Sequence, residues 1–255
     1  MDQISPEFDD VFKAIEAEIL AKFKEFEFEI SDNAKKALSI LAKNDRKKFS
    51  LNSIFGRFAA QKILDELLSA NFISIEKSRE KPPQKLKHQK LKKSLRRYKI
   101  TDKIIISRHF LRFYFYFIYP NLALLEAGKT AAVMEKIRNE FENYAAFGFE
   151  ILSAQLMARA WNLEFFEVSS FWNKDDEIDI FAEFEGGILV GEVKYKNRKI
   201  SKNTLNLLQL KCQNLGLFPS VFALFSRSGF SNELEKMRSE KIRLFGIDDY
   251  KILLQ

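Results

Sequence analysis

Two hydrophobic periodicities in one chain predict a two-part fold: an α+β N-terminal half, largely helical, and a C-terminal α/β half. Three observations carry the prediction. Apolar residues recur every three or four positions through residue 70, the spacing of amphipathic helices. From residue 163 onward, short apolar and alternating runs take turns with helical ones. Between the halves lies KSREKPPQKLKHQKLKKSLRRYK, residues 77 to 99, where eleven Lys and Arg stand against one acid, Glu80. That stretch carries +10 of a net +7, which leaves −3 for everything else, so the basicity is local. With 255 residues and 46% apolar content, the chain can bury a sizeable core.

Residues 5 to 28 place Phe8, Val11, Phe12, Ile15, Ile19, Phe23 and Phe26 at helical spacing, predicting one amphipathic helix. Three shorter helices follow: SDNAKKALSILAKN with Ser31 as N-cap, SLNSIFGRF, and AAQKILDELLSANF. FISIEK and RRYKITDK are the predicted strands of a ribbon around the basic segment and its Pro82-Pro83. Three helices and a ribbon are the layout of a winged helix-turn-helix, with a third helix at 59 to 70 and a long wing at 77 to 97. That third helix offers base edges only Gln61 and Lys62, beside Asp65 and Glu66. The wing offers more to phosphates, through Lys85, Lys87, Lys90, Lys92, Lys93, Arg96 and Arg97. A solvated loop kept soluble by charge is the alternative, and RNA or an acidic protein would also suit such a run.

Residues 103 to 127 are rich in Phe and Tyr and predict core rather than a stacking platform for bases. FYFYFIYPNLALLEA, 113 to 127, is shorter than the ~20 residues of a spanning helix and contains Pro120, so no membrane span is expected. MDQISPEFDD has neither the basic nor the apolar region of a secretory signal; with the single Cys212, this predicts a cytoplasmic protein. Two distant histidines, His88 and His109, and one Cys argue against zinc. LLEAGKT ends like a P-loop, but Ala123 stands where its first glycine belongs and no strand precedes it, so no nucleoside triphosphate site is expected.

A helix from about Val133 to Trp161 opens the second half. LEFFEVSSFW, EIDIFAEF and ILVGEVKY follow as strands, the last two joined at Gly186-Gly187. Then come the helix SKNTLNLLQLKCQNLG, the strand SVFALFS, the helix NELEKMRSEK and the strand IRLFG. Alternation puts Glu177, Asp179, Phe181 and Glu183 on one face of EIDIFAEF, and Ile178, Ile180, Ala182 and Phe184 on the other. In ILVGEVKY, Val190, Glu192 and Lys194 share a face. Should Asp179 and Glu192 meet across the hairpin, their like charges call for a cation between them. Oxygen ligands alone favour Mg²⁺ or Mn²⁺, and Lys194 lies beside them to stabilise charge on a phosphate. Half-buried salt-bridging residues on a hairpin are the plainer alternative.

The order α-β-β-β-α-β with Ile178-Asp179, Glu192-Val193-Lys194, Phe149-Glu150 and a later Gln209 resembles the PD-(D/E)XK nuclease superfamily, with Ile178 in place of the eponymous Pro. The resemblance implies a restriction-endonuclease-like domain and Mg-dependent endonuclease (hydrolase) activity. It implies Asp179, Glu192 and the Val193 carbonyl as metal ligands and Lys194 as catalytic lysine. Glu150 would hold a second metal or its water, and Gln209 would orient the site. Over residues ~31 to ~250, the helical layout with RRYKITD, LRFYFYFIYPN, FGFE, FWNKDDEIDI and GEVKYK resembles the C-terminal half of archaeal-type AAA ATPases. In those proteins an ATPase precedes this half, and none is expected in this sequence.

The expected organisation is an N-terminal helix (1–30), a winged-helix domain (31–102), an aromatic connector (103–135) and a nuclease-like domain (136–255). The expected partner is nucleic acid, DNA before RNA, with a second copy of the chain and a separate ATPase as further candidates. An accessory DNA-binding module with an inactive nuclease fold is the competing function.

Overall fold

Residues 10–43, 46–80, 90 and 101–254 are described by the structure, a computed structural model. The chain is a mixed α/β protein of two compact units, residues 1–76 with 102–144, and residues 77–101 with 145–255.

In the first unit, α1 (Val11–Ala14) continues as a π-helical turn, Ile15–Leu20, and buries Ile15, Ile19 and Leu20. The helical spacing seen in the sequence extends to Phe26, but regular helix stops at Leu20 and only a short 3₁₀ turn, Phe23–Glu25, follows. Phe26 and Phe28 instead pack on the Tyr114 ring, so tertiary contacts take over the apolar positions of the expected last turns. The three helices are α2 (Asp32–Ala42), α3 (Lys48–Phe55) and α4 (Arg57–Ser69).

Ser31 is the N-cap of α2: its Oγ accepts the Ala34 N–H at 3.2 Å. Its own N–H and Oγ–H donate to the Glu66 carboxylate of α4 at 2.6 and 2.8 Å. One residue thus joins two helices. Ser31→Ala is expected to lose about 1–2 kcal/mol in urea denaturation, and a loss under 0.3 kcal/mol would show that the cap is redundant.

β1 (Ile73–Glu76) pairs antiparallel with β2 (Lys103–Ile106). The ribbon's second strand therefore lies C-terminal to the RRYK of the expected strand, whose residues 96–100 are outside the described ones. Lys103 to Ile106 pairs as strand because Ile104 and Ile106 both bury in the first unit's core. The aromatic segment forms α5 (His109–Phe113) and a π-helical stretch, Tyr114–Ile118, buried at every position. Its rings are core and are not available for stacking on bases. After α6 (Leu122–Glu126), Gly128 turns with positive φ into α7 (Thr130–Trp161). Gly-Lys-Thr is thus a helix-to-helix joint.

The second unit is a five-stranded sheet in the order β3 (Ser169–Trp172), β4 (Glu177–Phe184), β5 (Gly187–Lys194), β6 (Val221–Ser226), β7 (Ile242–Phe245). The first three strands are antiparallel and the last three parallel, so central β5 belongs to both arrangements. LEFFEVSSFW was expected to be strand throughout. Its first part forms a 3₁₀ turn, Phe165–Glu167, closed reciprocally by Glu164 and Glu167, and only Ser169–Trp172 pairs.

On one face of the sheet, Phe149, Leu156 and Met157 of α7 pack on Ile180, Ala182, Leu189, Val193 and Phe225. On the other, Leu205, Leu208 and Cys212 of α8 (Lys202–Leu215) pack on Ile178, Phe181, Val190 and Leu224, with Leu234 of α9 (Asn232–Glu235). A sheet with helices on both faces is what near-continuous apolar strands require.

Both ends of the basic segment are held by β3. Ser78 donates to the Trp172 carbonyl and Arg79 to Ser169 Oγ at 3.0 Å, while Trp172 Nε1–H donates to the Thr101 carbonyl at 2.8 Å. This is why Ser78, Arg79 and Thr101 belong with the α/β unit.

Candidate active site

The hairpin register positions the acids. Ile180 pairs with Gly191 and Phe184 with Gly187, so the two-residue turn is Glu185-Gly186, one step earlier than the Gly-Gly dipeptide suggested. The paired register ends at Ile180 and Gly191, one residue short of Asp179 and Glu192. At Asp179 the backbone ladder gives way to a side chain: Val193 N–H donates to Asp179 Oδ2 at 2.8 Å.

A bulge in β4 allows this. Ser169 pairs with Phe181 and Phe171 with Ile178, two steps on β3 against three on β4. The extra residue breaks strict alternation. Ile178 was expected to share a face with Ile180, but it packs with Phe181 on the α8 side, while Ile180 and Ala182 face α7. Asp179 lies in this interruption.

Glu192 is 6% exposed, on the α8 face of β5. A carboxylate that deep requires partners. It has two: Lys194 Nζ donates to Oε1 at 2.6 Å, and Lys211 Nζ, from α8, donates to Oε2 at 2.8 Å. Burial and the charges of Glu192 and Glu150 push the Asp179 carboxyl up to about 7, against the opposing help of the Val193 N–H and Lys194. Burial disfavours the charge on Lys194, yet Glu192, Asp179 and Glu150 together hold its pKa above the ordinary value. Asp179, Glu192, Lys194 and Glu150, selected from the sequence, are therefore within electrostatic reach of one another.

Gln209 is half-buried on α8 and takes no part in the ion pairs at Glu192. Lys211, two residues on, is the α8 side chain that reaches the acid. A pocket of about 330 Å³ opens beside it, lined by Asp176, Glu192, Lys194, Thr204, Leu207, Leu210, Lys211 and Asn214. Asn214 Nδ2 donates to Asp176 Oδ2 at 3.3 Å. Sequence reasoning missed Lys211, Asp176 and Asn214. For Lys211 the available signal was a lysine beside the buried Leu208 and Cys212 positions of an amphipathic helix. Burial pushes the Cys212 thiol up to about 11, which keeps it out of the chemistry.

Glu177 is exposed at the start of β4, and Trp172 is buried core. Of the basic residues assigned to phosphate contact, Lys90 is described and exposed; Lys85, Lys87, Lys92, Lys93, Arg96 and Arg97 lie outside the described residues.

Asp179 and Glu192 are two hard oxygen donors, and the Val193 carbonyl points to the same side of β5 as the N–H that Asp179 accepts. This donor set suits Mg²⁺ or Mn²⁺. Among the described residues no group of three or more His, Cys, Asp or Glu is already arranged around a metal position. No helix among the described residues is long and apolar enough to cross a membrane.

Residues 114–205 match DUF234, a family described as archaeal and bacterial proteins of unknown function. The match takes in Glu150, Asp179, Glu192 and Lys194 and stops short of Lys211. Over 252 residues the chain is 25% identical to an uncharacterized protein of Methanocaldococcus jannaschii, covering 94% of this chain and 52% of that protein. The chain thus spans about half the length of the curated relative it matches. No solved structure matches it.

Proposed function

We propose that the chain is a metal-dependent nuclease that hydrolyses DNA phosphodiester bonds, with a winged-helix first unit and a PD-(D/E)XK-like second unit. The carrying observation is the juxtaposition of Asp179 on β4, Glu192 and Lys194 at the end of central β5, and Glu150 of α7. Burial and the nearby Glu192 and Glu150 raise the Asp179 pKa, an arrangement that is unfavourable for folding and is the pattern of a site kept for chemistry. A divalent cation, when bound by Asp179, Glu192 and the Val193 carbonyl, supplies the positive charge that a phosphodiester needs as it accumulates negative charge. Lys194, charged and a third exposed, lines the pocket and would stabilise the same charge. Asp179 exchanges its proton near neutral pH, so cation binding to it strengthens as pH rises. The basic segment tethered to β3 contributes affinity without sequence preference.

A second reading has an observation of its own. Both oxygens of Glu192 are satisfied by lysines, as a purely structural ion network in an accessory DNA-binding module would have them. Cleavage assays with labelled DNA and RNA in Mg²⁺ or Mn²⁺ separate the two, run on wild type, Lys194→Ala and Glu192→Gln. The nuclease reading expects metal-dependent cutting of DNA that both substitutions reduce by at least ~10³-fold, a loss of about 4 kcal/mol in transition-state stabilisation. Salt-sensitive DNA binding without cutting, retained in both variants, would establish the accessory module instead.

A further inference from the structure

We infer that Lys211 is a displaceable counter-ion of Glu192, one that a divalent cation must dislodge to bind and that therefore sets the site's metal affinity. The inference rests on the metal-binding reading above.

The two lysines on Glu192 are held differently. Lys194 lies two residues away on the same strand, and Glu192, Asp179 and Glu150 all favour its charge. Lys211 reaches Oε2 from another element, at the end of a flexible four-carbon stem. Its side chain is 27% exposed and lines the pocket of about 330 Å³ together with Thr204, Leu207, Leu210 and Asn214. It can leave Glu192 by rotating about its own bonds into water, with no movement of β5 or α8. Lys194 lines the same pocket and is 32% exposed, but leaving Glu192 would also take it from Asp179 and Glu150, whose charges favour its own.

Charge explains why a cation would take its place. Asp176 lines the same pocket, so the site and its pocket hold four acids (Asp176, Asp179, Glu192 and Glu150) against two lysines. Two negative charges remain when all four acids are ionised, and one divalent cation balances them. The Lys211 ammonium satisfies one oxygen of Glu192, whereas a divalent ion would be held by Glu192 and Asp179 together. Once released, the Lys211 ammonium remains in the pocket beside Thr204 and Asn214, where an anionic ligand can take it up.

The test is a Mn²⁺ titration of the full chain without nucleic acid, reading the loss of the free-ion electron paramagnetic resonance signal. Lys211→Met keeps the stem length and removes the charge. It is expected to bind Mn²⁺ on the order of tenfold more tightly than wild type, while Lys211→Arg stays near the wild-type value. Equal or weaker binding by Lys211→Met overturns the inference and leaves the metal site standing. Absence of Mn²⁺ binding from wild type and Lys211→Met alike overturns both. Tightening that persists in the Lys211→Met, Glu192→Gln double variant also overturns it, because the competition would then not be for Glu192. A thermal melt of each variant checks folding, and Lys211→Gln carries the same comparison if the methionine variant does not fold.

Discussion

Replacing Asp179 by Asn is expected to make the metal-free protein more stable at pH 8, by about 2–4 kcal/mol, and to leave it unchanged near pH 4. The sign follows from proton binding. In the folded chain the Asp179 carboxyl titrates at about 7, against an ordinary value of 3.8. Between those two pH values the folded state holds a proton that the unfolded state has released. Stability therefore falls as pH rises from about 4 to about 7 and is level above that. Asn carries no charge to desolvate beside Glu192 and Glu150, and its Oδ1 still accepts the Val193 N–H, so the variant lacks this slope. Urea denaturation of both proteins at pH 5 and pH 8, without divalent ions, measures the difference. If Asp179 served only to terminate the β4–β5 ladder, the variant would show no gain at pH 8, and the functional reading of the acid would lose its support.

Phe225→Ala is expected to destabilise the chain by about 3–5 kcal/mol, and by the same amount at pH 5 and pH 8. Phe225 is fully buried on β6 and stacks on Phe245 with ring centroids 4.9 Å apart and planes 10° from parallel. It lies against Gly191: a Cβ added there would meet Phe225 Cε2 at 3.2 Å and Ile180 Cβ at 3.1 Å, so ring and glycine are fitted to each other. Truncation leaves a cavity behind the strand that carries Glu192, at a position in register with Val193. Against a typical total of about 5–15 kcal/mol, that loss leaves a marginal protein. Chemical denaturation gives the number directly; a loss below 1 kcal/mol would mean that the sheet collapses onto the cavity and that its packing does not hold β5 in place. A pH-independent loss here beside a pH-dependent gain at Asp179 would distinguish packing from electrostatics on neighbouring strands.

Much of this was legible in the sequence because it is local. Ser31 was recognisable as a cap from its place ahead of an apolar-periodic run, and it caps α2. Turn residues between two alternating runs announced the hairpin, whose turn lies one residue earlier than expected and whose strands carry Asp179 and Glu192 within electrostatic reach of each other. The aromatic segment was expected to be core, and Phe113 to Ile118 are buried. The missed features are non-local. Alternation alone cannot reveal the bulge, because the extra residue in β4 is defined against β3. Residues 77–101 read as part of the helical half by adjacency, whereas Ser78, Arg79 and Thr101 bond to β3, about 70 to 90 positions along the chain.

The sequence by itself determined the order of most elements, the mixed class, the concentration of positive charge in one segment, and the candidate acids with their neighbouring lysine. These depend on spacing and turn chemistry within a few residues. Only the tertiary structure decided that Lys211, rather than Gln209, reaches Glu192. The packing of Leu205, Leu208 and Cys212 on the sheet sets the rotation of α8 and aims Lys211 at the acid. A helix's period tells which residues share a face, and the partner that face meets is settled by how the layers pack.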